Sequence, residues 1–350
     1  MYFLNPRVVS GVFLLLMVLL ISGCITPVDD PELPPLGFFM GILPIPGDNQ
    51  DIPDAYAQAA AFAECAPVWG SGIGAQGFWE MPASLRGATG KLIVNRYIRG
   101  NGMFPLLHFS FITTDAEGSL VLHTPTSLPD ATLNDPAWRT LYVQSVVDAV
   151  DIVRPLYLST GNEVNRWYEQ YGTDENNPNG FQHFVSLHEE IYHAVKEVSP
   201  DTVVFCVFAR EIVSEHREAE LEVLELFDPQ TLDLIVFTSY PYAVSTVNHP
   251  SDIPPEYYTQ IFQYIPQKPF GFSELGWPAL EFFGGEQGQA EFLCNVSSTL
   301  TKDQGIDLHI LGYCWLHDVG DQDTTGLIMR DGTERLAYTT WQEISRSEDR

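Results

Sequence analysis

The chain has 350 residues, 45% of them hydrophobic and 12% aromatic, which is enough for one large hydrophobic core and excludes disorder as the expected state. It carries 46 acidic and 17 basic residues and a net charge of −29, so nucleic acid, itself a polyanion, is excluded as an expected partner. Uncharged ligands are not excluded by this charge.

The first 36 residues read as a targeting segment followed by a linker. Arg7 precedes an apolar run from Val8 to Ile21, and Ile21-Ser-Gly-Cys24 resembles the lipobox of prokaryotic lipoproteins. We therefore expect residues 1–24 to be a signal peptide with a lipidated Cys24, residues 25–36 to be a flexible tether, and residues 37–346 to be the folded domain. The alternative for the apolar run is an uncleaved anchor helix, since its length nearly suffices to span a bilayer. Both alternatives place the domain outside the cell, on the membrane surface or secreted.

The remaining cysteines give no sign of a metal site. Cys65, Cys206, Cys294 and Cys314 form no CxxC pair, and they are too few for a disulfide scaffold, although a single bridge is not excluded. His317 and Asp318 are adjacent polar residues without an identifiable third metal ligand. We therefore expect no metal and no cofactor, and we expect a monomer.

Eight apolar, strand-like segments alternate with segments of helical character along the domain. The predicted strands are residues 37–44, 67–73, 103–110, 156–158, 202–208, 232–240, 268–274 and 306–315. The predicted helical segments are residues 52–66, part of 78–99, 135–153, 181–198, 214–226, 255–264, 287–300 and 334–344. Asp135 followed by Pro136 is typical of a helix start. Eight strands alternating with helices predict an α/β fold, a (β/α)₈ TIM barrel.

Two of the predicted strands end on a glutamate. Glu163 follows the fourth strand after Gly161, and Glu274 ends the seventh strand before Gly276. Parallel α/β barrels keep their chemistry at the carboxyl ends of the strands, so both acids are expected at the same edge. Glycoside hydrolysis needs two carboxyl groups that flank one sugar bond. The pair therefore predicts a glycosidase.

The motifs around these acids resemble those of the retaining glycoside hydrolases of clan A, whose barrels carry Asn-Glu after the fourth strand and Glu after the seventh. The matching positions are Asn162-Glu163 and Glu274. Segments 161–164 and 273–278 look like those of β-1,3-glucanases and endo-β-1,4-galactanases, and segment 326–338 is similar to the one that closes such barrels. Many members also carry an arginine near the end of the second strand, and residues 68–74 contain none.

The resemblance implies roles for six residues. Glu163 would be the acid/base and Glu274 the nucleophile, with Glu274 ionised and Glu163 protonated before attack. The substrate-binding residues would be Asn162 on the sugar 2-hydroxyl, Tyr240 supporting the nucleophile, Trp315 as the floor under the sugar, and His108 as a polar contact. The implied activity is that of a retaining β-glycosidase acting by double displacement on a polysaccharide or oligosaccharide, with endo action favoured over exo action.

Five further aromatic residues are candidates for packing or for sugar contact. Trp277 and Tyr242 suit packing as well as sugar contact, and Trp79, Trp138 and Trp167 are candidates for the rim of the cleft.

The same barrel would also suit a transglycosylase or a carbohydrate-binding surface lipoprotein without hydrolytic activity. A retained pair of close carboxylates argues against loss of catalysis, because such a pair is electrostatically costly to keep.

Overall fold

The computed structural model describes residues 37–69, 77–265, 268–300 and 305–347. The expected signal peptide, Cys24 and the tether lie outside these described residues. No helix within them is both long and apolar enough to cross a bilayer.

A parallel barrel forms the centre of the domain. Its strands are, in chain order, Phe39–Ile42, Cys65–Trp69, Phe104–His108, Tyr157–Ser159, the pair of pieces Val203–Phe205 and Val207–Ala209, Ile235–Ser239, Phe270–Leu275 and Leu308–Tyr313. Each pairs in parallel with its neighbours, and the eighth strand pairs with the first. The two pieces of the fifth strand, separated by Cys206, pair with the fourth and the sixth strand respectively, which closes the ring. The predicted (β/α)₈ barrel is confirmed.

Helices connect the strands along the outside of the barrel. They are Ile52–Ala59, Met81–Arg86, a π-helical segment Thr89–Ile98, Pro136–Val153, Asn165–Tyr171, Gln182–Val198, Gly285–Thr299 and Leu336–Arg346. The predicted start at Asp135 is confirmed, because its side chain accepts a hydrogen bond from the backbone N–H of Ala137 at 2.8 Å, as a helix cap does.

Two predicted helices are wrong. Instead of a helix, residues 214–226 contain two short 3₁₀ turns, Val213–Glu215 and Glu222–Leu226. The short strands Glu211–Ile212 and Arg217–Glu218 flank the first turn and pair with each other in antiparallel fashion. The many glutamates of residues 214–226 disfavour a helix, because like charges four residues apart repel. Residues 255–264 contain the 3₁₀ helix Thr259–Gln263 instead of an α-helix.

Aromatic side chains fill the inside of the barrel. Phe39 on the first strand contacts Phe104 on the third, with ring centroids 4.5 Å apart, although the second strand separates them in the sheet. The contact therefore crosses the barrel interior. Tyr157 on the fourth strand continues the cluster, with its ring 5.5 Å from Phe104. At these residues the interior of the barrel is a packed core and not a pore.

Candidate active site

Glu163 and Glu274 lie at the carboxyl ends of their strands. Glu274 is the penultimate residue of the strand Phe270–Leu275, and Glu163 follows Tyr157–Ser159 in the loop before the next helix. The backbone of Glu163 has a φ of 48°, in the left-handed region. For a residue other than glycine this conformation costs on the order of 1–3 kcal/mol, and such strain is concentrated at functional sites.

Thr238 on the sixth strand links the two acids. Thr238 is the register partner of Glu274 on the adjacent strand, and its hydroxyl donates a hydrogen bond to Oε1 of Glu163 at 2.9 Å. Neighbouring strands are roughly 4.8 Å apart. The carboxyl group of Glu163 is thus hydrogen-bonded to the residue beside Glu274, and it is close enough for its charge to raise the pKa of Glu274.

Burial sets the protonation of Glu274. Removal from water raises the pKa of its carboxyl group to about 7, and the nearby charge of Glu163 adds to the rise. The hydroxyl of Tyr240 donates a hydrogen bond to Oε2 of Glu274 at 2.7 Å, which favours the ionised form and lowers this pKa. Burial therefore works against the ionised form that the resemblance implied for Glu274, and the hydrogen bond from Tyr240 works for it.

Arg166 forms an ion pair with the carboxyl group of Glu163. Its Nη1 donates to Oε2 of Glu163 at 2.8 Å, one helical turn along the chain, and both side chains are partly exposed. Together with Thr238, Arg166 gives Glu163 two donors within the described residues. The i, i+3 spacing of Glu163 and Arg166 was visible in the sequence, but the same spacing is common in surface pairs.

A cavity of about 170 Å³ opens beside Glu274, and Trp69, His108 and Trp315 line it. The indole of Trp69 stacks on the imidazole of His108, with ring centroids 4.3 Å apart and an interplanar angle of 14°. Burial lowers the pKa of His108 to about 3, so this ring is neutral and can donate or accept one hydrogen bond at each nitrogen. Trp69 stands at the end of the second strand, where no functional residue was predicted.

Three of the predicted binding residues keep a buried polar atom without a partner in the described part of the chain. These atoms are Nδ1 of His108, Oδ1 of Asn162 and Nε1 of Trp315. Six further buried polar atoms in the described residues share this property, so it does not by itself mark a binding site. Asn162 lines a second cavity, of about 220 Å³, next to Glu163 and Arg166.

The structure corrects the predicted rim aromatics. Trp138 and Trp167 are fully buried, and each indole N–H donates to a backbone carbonyl oxygen, so neither can form a rim. Trp277 is also fully buried and is stacked on a neighbouring ring, which decides for packing. Trp79 is half-buried and packs on the core, and Tyr242 is half-buried with its ring 6.2 Å from that of Tyr240.

His317 and Asp318 have structural partners. Nδ1 of His317 is 2.8 Å from the carbonyl oxygen of Ile45, and Asp318 forms a buried ion pair with Arg335 at 2.7 Å. Among the described residues, no group of three or more His, Cys, Asp or Glu side chains is arranged to hold a metal ion.

Replacing Tyr240 with phenylalanine is expected to move the acidic limb of the pH profile of kcat/KM to higher pH. The lost hydrogen bond favours ionised Glu274, so its pKa rises above about 7 and more of the carboxyl group is protonated in acid. A hydrogen bond to a charged group contributes roughly 1.5–3 kcal/mol, so kcat/KM at pH 6 should fall roughly 10- to 100-fold.

The matched control is Tyr192→Phe, which removes a hydroxyl that donates to Asp233 beneath an outer helix. Both variants and the wild type would be assayed from pH 5 to pH 9 on an activated aryl glycoside. The contact between Tyr240 and Glu274 would be contradicted if the acidic limb of the pH profile stayed in place in Tyr240→Phe. It would also be contradicted if the limb moved equally in Tyr192→Phe.

Solved structures share this fold. GH5_18 from Streptomyces cattleya in complex with GlcNAc matches with a TM-score of 0.64 at 13% identity, over 89% of this chain and 80% of that chain. A family 39 glycoside hydrolase from Bacteroides cellulosilyticus WH2 matches with 0.60 at 15% identity, over 91% and 66%. Native xylanase 10B from Thermotoga maritima matches with 0.59 at 12% identity, over 88% and 95%.

These likenesses confirm the expected (β/α)₈ barrel fold. The scan against protein-family models and the search of curated proteins each gave no match. The more specific likeness to β-1,3-glucanases and endo-β-1,4-galactanases therefore stays a prediction.

Proposed function

We propose that this protein is a retaining β-glycoside hydrolase that cleaves an extracellular polysaccharide or oligosaccharide by double displacement. The observation that carries the proposal is the linked pair of acids: Thr238 is in register with Glu274 and hydrogen-bonded to Glu163. Two carboxyl groups that flank the same sugar bond are the chemical requirement for this reaction. The fold of the matching glycoside hydrolases supports the same conclusion.

In the first step, Glu274 attacks the anomeric carbon while Glu163 gives a proton to the leaving glycosidic oxygen. The glycosidic bond breaks, and an ester bond forms between the sugar and Glu274. Tyr240 donates to Oε2 of Glu274 and holds the carboxylate in place. Glu163 must turn one oxygen from Arg166 towards the substrate, because a protonated carboxyl group needs that oxygen as its donor.

In the second step, water attacks the anomeric carbon of the ester and displaces Glu274. Glu163, now ionised, takes the proton from the water, so both carboxyl groups return to their first state. Two inversions at one carbon restore the original configuration. The mechanism needs only carboxyl chemistry at the residues described.

Space on both sides of the acid pair supports endo action. One cavity adjoins Glu274 and the other adjoins Glu163, and a third cavity of about 450 Å³ continues from the second along Arg166 and Leu120. A substrate of several sugars would thus have room next to each of the two acids, as endo action requires. Trp315 would support the sugar bound to Glu274, and Asn162 would bind its 2-hydroxyl.

The experiment that tests the function is an assay of residues 37–350 on a panel of β-glucans, galactans and mannans. The proposal expects new reducing ends from at least one glycan with wild-type protein and none with the double variant Glu163→Gln, Glu274→Gln. Binding without release of reducing ends would indicate a carbohydrate-binding lipoprotein. Products longer than the substrate would indicate a transglycosylase.

We also propose that the protein is anchored to the outer face of the cell membrane through Cys24. The supporting observation is the lipobox-like sequence Ile21-Ser-Gly-Cys24 after the apolar run. Replacing Cys24 with alanine is expected to release the protein from the membrane fraction or to block its maturation, as measured by fractionation and immunoblotting. Fully membrane-bound Cys24→Ala protein would instead indicate an uncleaved anchor helix.

A further inference from the structure

A third glutamate lies behind the proposed nucleophile. Glu211 follows the fifth barrel strand and is only 3% exposed. Its Oε1 accepts hydrogen bonds from the hydroxyls of Tyr257 at 2.6 Å and Ser239 at 3.0 Å. Its Oε2 accepts the backbone N–H of Tyr240 at 2.6 Å. Three donors therefore converge on one buried carboxylate, none of them from the substrate side.

The contact with Tyr240 is the one that reaches the reaction. Tyr240 is the first residue after the sixth strand, and its N–H points to Glu211 instead of a neighbouring strand. The other end of the same residue donates its hydroxyl to Glu274 at 2.7 Å. Gly276 lies against the ring, since a Cβ at that position would be 2.6 Å from Cε1 of Tyr240. Tyr240 is thus held at its backbone, its ring and its hydroxyl.

Burial and the groups around Glu211 act in opposite directions on its carboxyl group. Burial raises the pKa of Glu211 to about 7, while Tyr257, Arg210, Tyr240 and Ser239 lower it. Arg210 is itself buried, lies 3.8 Å from the ring centroid of Tyr257, and pairs with the partly exposed Glu218. A buried ion is expensive unless it is paired and hydrogen-bonded.

We propose that Glu211 is a positioning residue of the reaction, whose carboxylate fixes the backbone of Tyr240 and thereby the hydroxyl presented to Glu274. The inference rests on the proposed function of Glu274 as nucleophile. A carboxylate accepts from the N–H of Tyr240 and from both hydroxyls at once. A glutamine would place its NH₂ group either against the N–H of Tyr240, which would shift Tyr240, or against the two hydroxyls, whose hydrogens would then lose this acceptor.

The test is Glu211→Gln, assayed on the glycan identified by the panel and on an activated aryl glycoside. Displacement of a catalytic group by about 1 Å costs roughly 100-fold in rate, so kcat should fall roughly 10- to 100-fold while KM changes little. The matched control is Glu222→Gln, which also loses a carboxylate that accepts from a tyrosine hydroxyl but lies exposed on the outside. Its kcat should equal that of the wild type.

A double-mutant cycle with Tyr240→Phe separates positioning from general loss of structure. Because Glu211 acts through the hydroxyl of Tyr240, the effect of Glu211→Gln on kcat should shrink to less than about threefold when that hydroxyl is absent. Equal effects of Glu211→Gln in both backgrounds, or an unchanged kcat in the single variant, would overturn the proposal. An inactive wild type would overturn the proposed function instead.

Tyr257→Phe tests the same contact if Glu211→Gln does not fold. The hydroxyl of Tyr257 lowers the pKa of Glu211, so its removal raises that pKa and protonates the carboxyl group over a wider range. The acidic limb of the kcat profile should then move to higher pH, and the loss should disappear in the Tyr240→Phe background. A profile that does not move would contradict the proposal.

Discussion

Glu274→Ala is expected to lower kcat roughly 10⁴- to 10⁶-fold, the range that loss of a catalytic nucleophile or its partner costs a hydrolase. Without the carboxylate no glycosyl ester forms, and the remaining groups of the site can only bind substrate. Substrate binding should survive, because Trp69, His108 and Trp315 line the cavity independently of Glu274. Rates would be measured on an aryl glycoside, and binding by calorimetry.

Azide should restore part of this activity. The cavity left by Glu274→Ala lies where the nucleophile reaches the anomeric carbon, so an azide ion can attack there directly. A single displacement inverts the carbon, and the expected product is the α-glycosyl azide. A β-glycosyl azide from this variant would contradict the assignment of Glu274 as nucleophile. For Glu163→Ala, the same measurement should give the opposite product, the β-glycosyl azide.

Glu163→Ala is expected to lower kcat/KM roughly 10²- to 10⁴-fold on natural glycans, the usual contribution of a general acid. On a substrate with a good leaving group, such as a dinitrophenyl glycoside, formation of the glycosyl ester should be nearly as fast as in the wild type. The ester should then accumulate, because no base activates water. A rapid burst of phenolate followed by slow turnover is the expected signature in stopped-flow absorbance.

Arg166→Ala serves as the control for the charge next to Glu163. Arg166→Ala removes the ion pair at 2.8 Å but leaves both carboxyl groups. The rate of this variant should therefore depend on the leaving group in the same way as the rate of the wild type. A Glu163→Ala enzyme that loses activity equally on good and poor leaving groups would contradict a role in proton transfer.

The strand pattern and the acid pair were predictable because they depend on local sequence. Apolar runs interrupted by glycine gave the eight strands, and an acid directly after such a run marked Glu163 and Glu274. The roles given to Tyr240, Trp315 and His108 came from resemblance. The structure places all three near Glu274, by a hydrogen bond or in its cavity.

The supporting contacts were not predictable because they depend on the direction of side chains in three dimensions. Glu211 also follows a strand, so the same rule would have marked it, but the acidic segment that comes next, residues 214–226, was interpreted only as a helix. Thr238 is an ordinary β-branched strand residue by sequence. By residue type alone, Trp138 and Trp167 are as suitable as Trp69 for contact with a sugar ring, and it is their burial that distinguishes them from Trp69.

The retaining mechanism is the central claim, and the anomeric configuration of the first product tests it most directly. Retaining enzymes hold the two carboxyl groups about 5–5.5 Å apart for direct attack, whereas inverting enzymes separate them by about 6.5–9.5 Å to admit water. Proton NMR would follow the anomeric signals during the first minutes of hydrolysis, before mutarotation. We predict that the β-anomer appears first and the α-anomer follows slowly. An α-anomer that appears first would contradict the double displacement at Glu274.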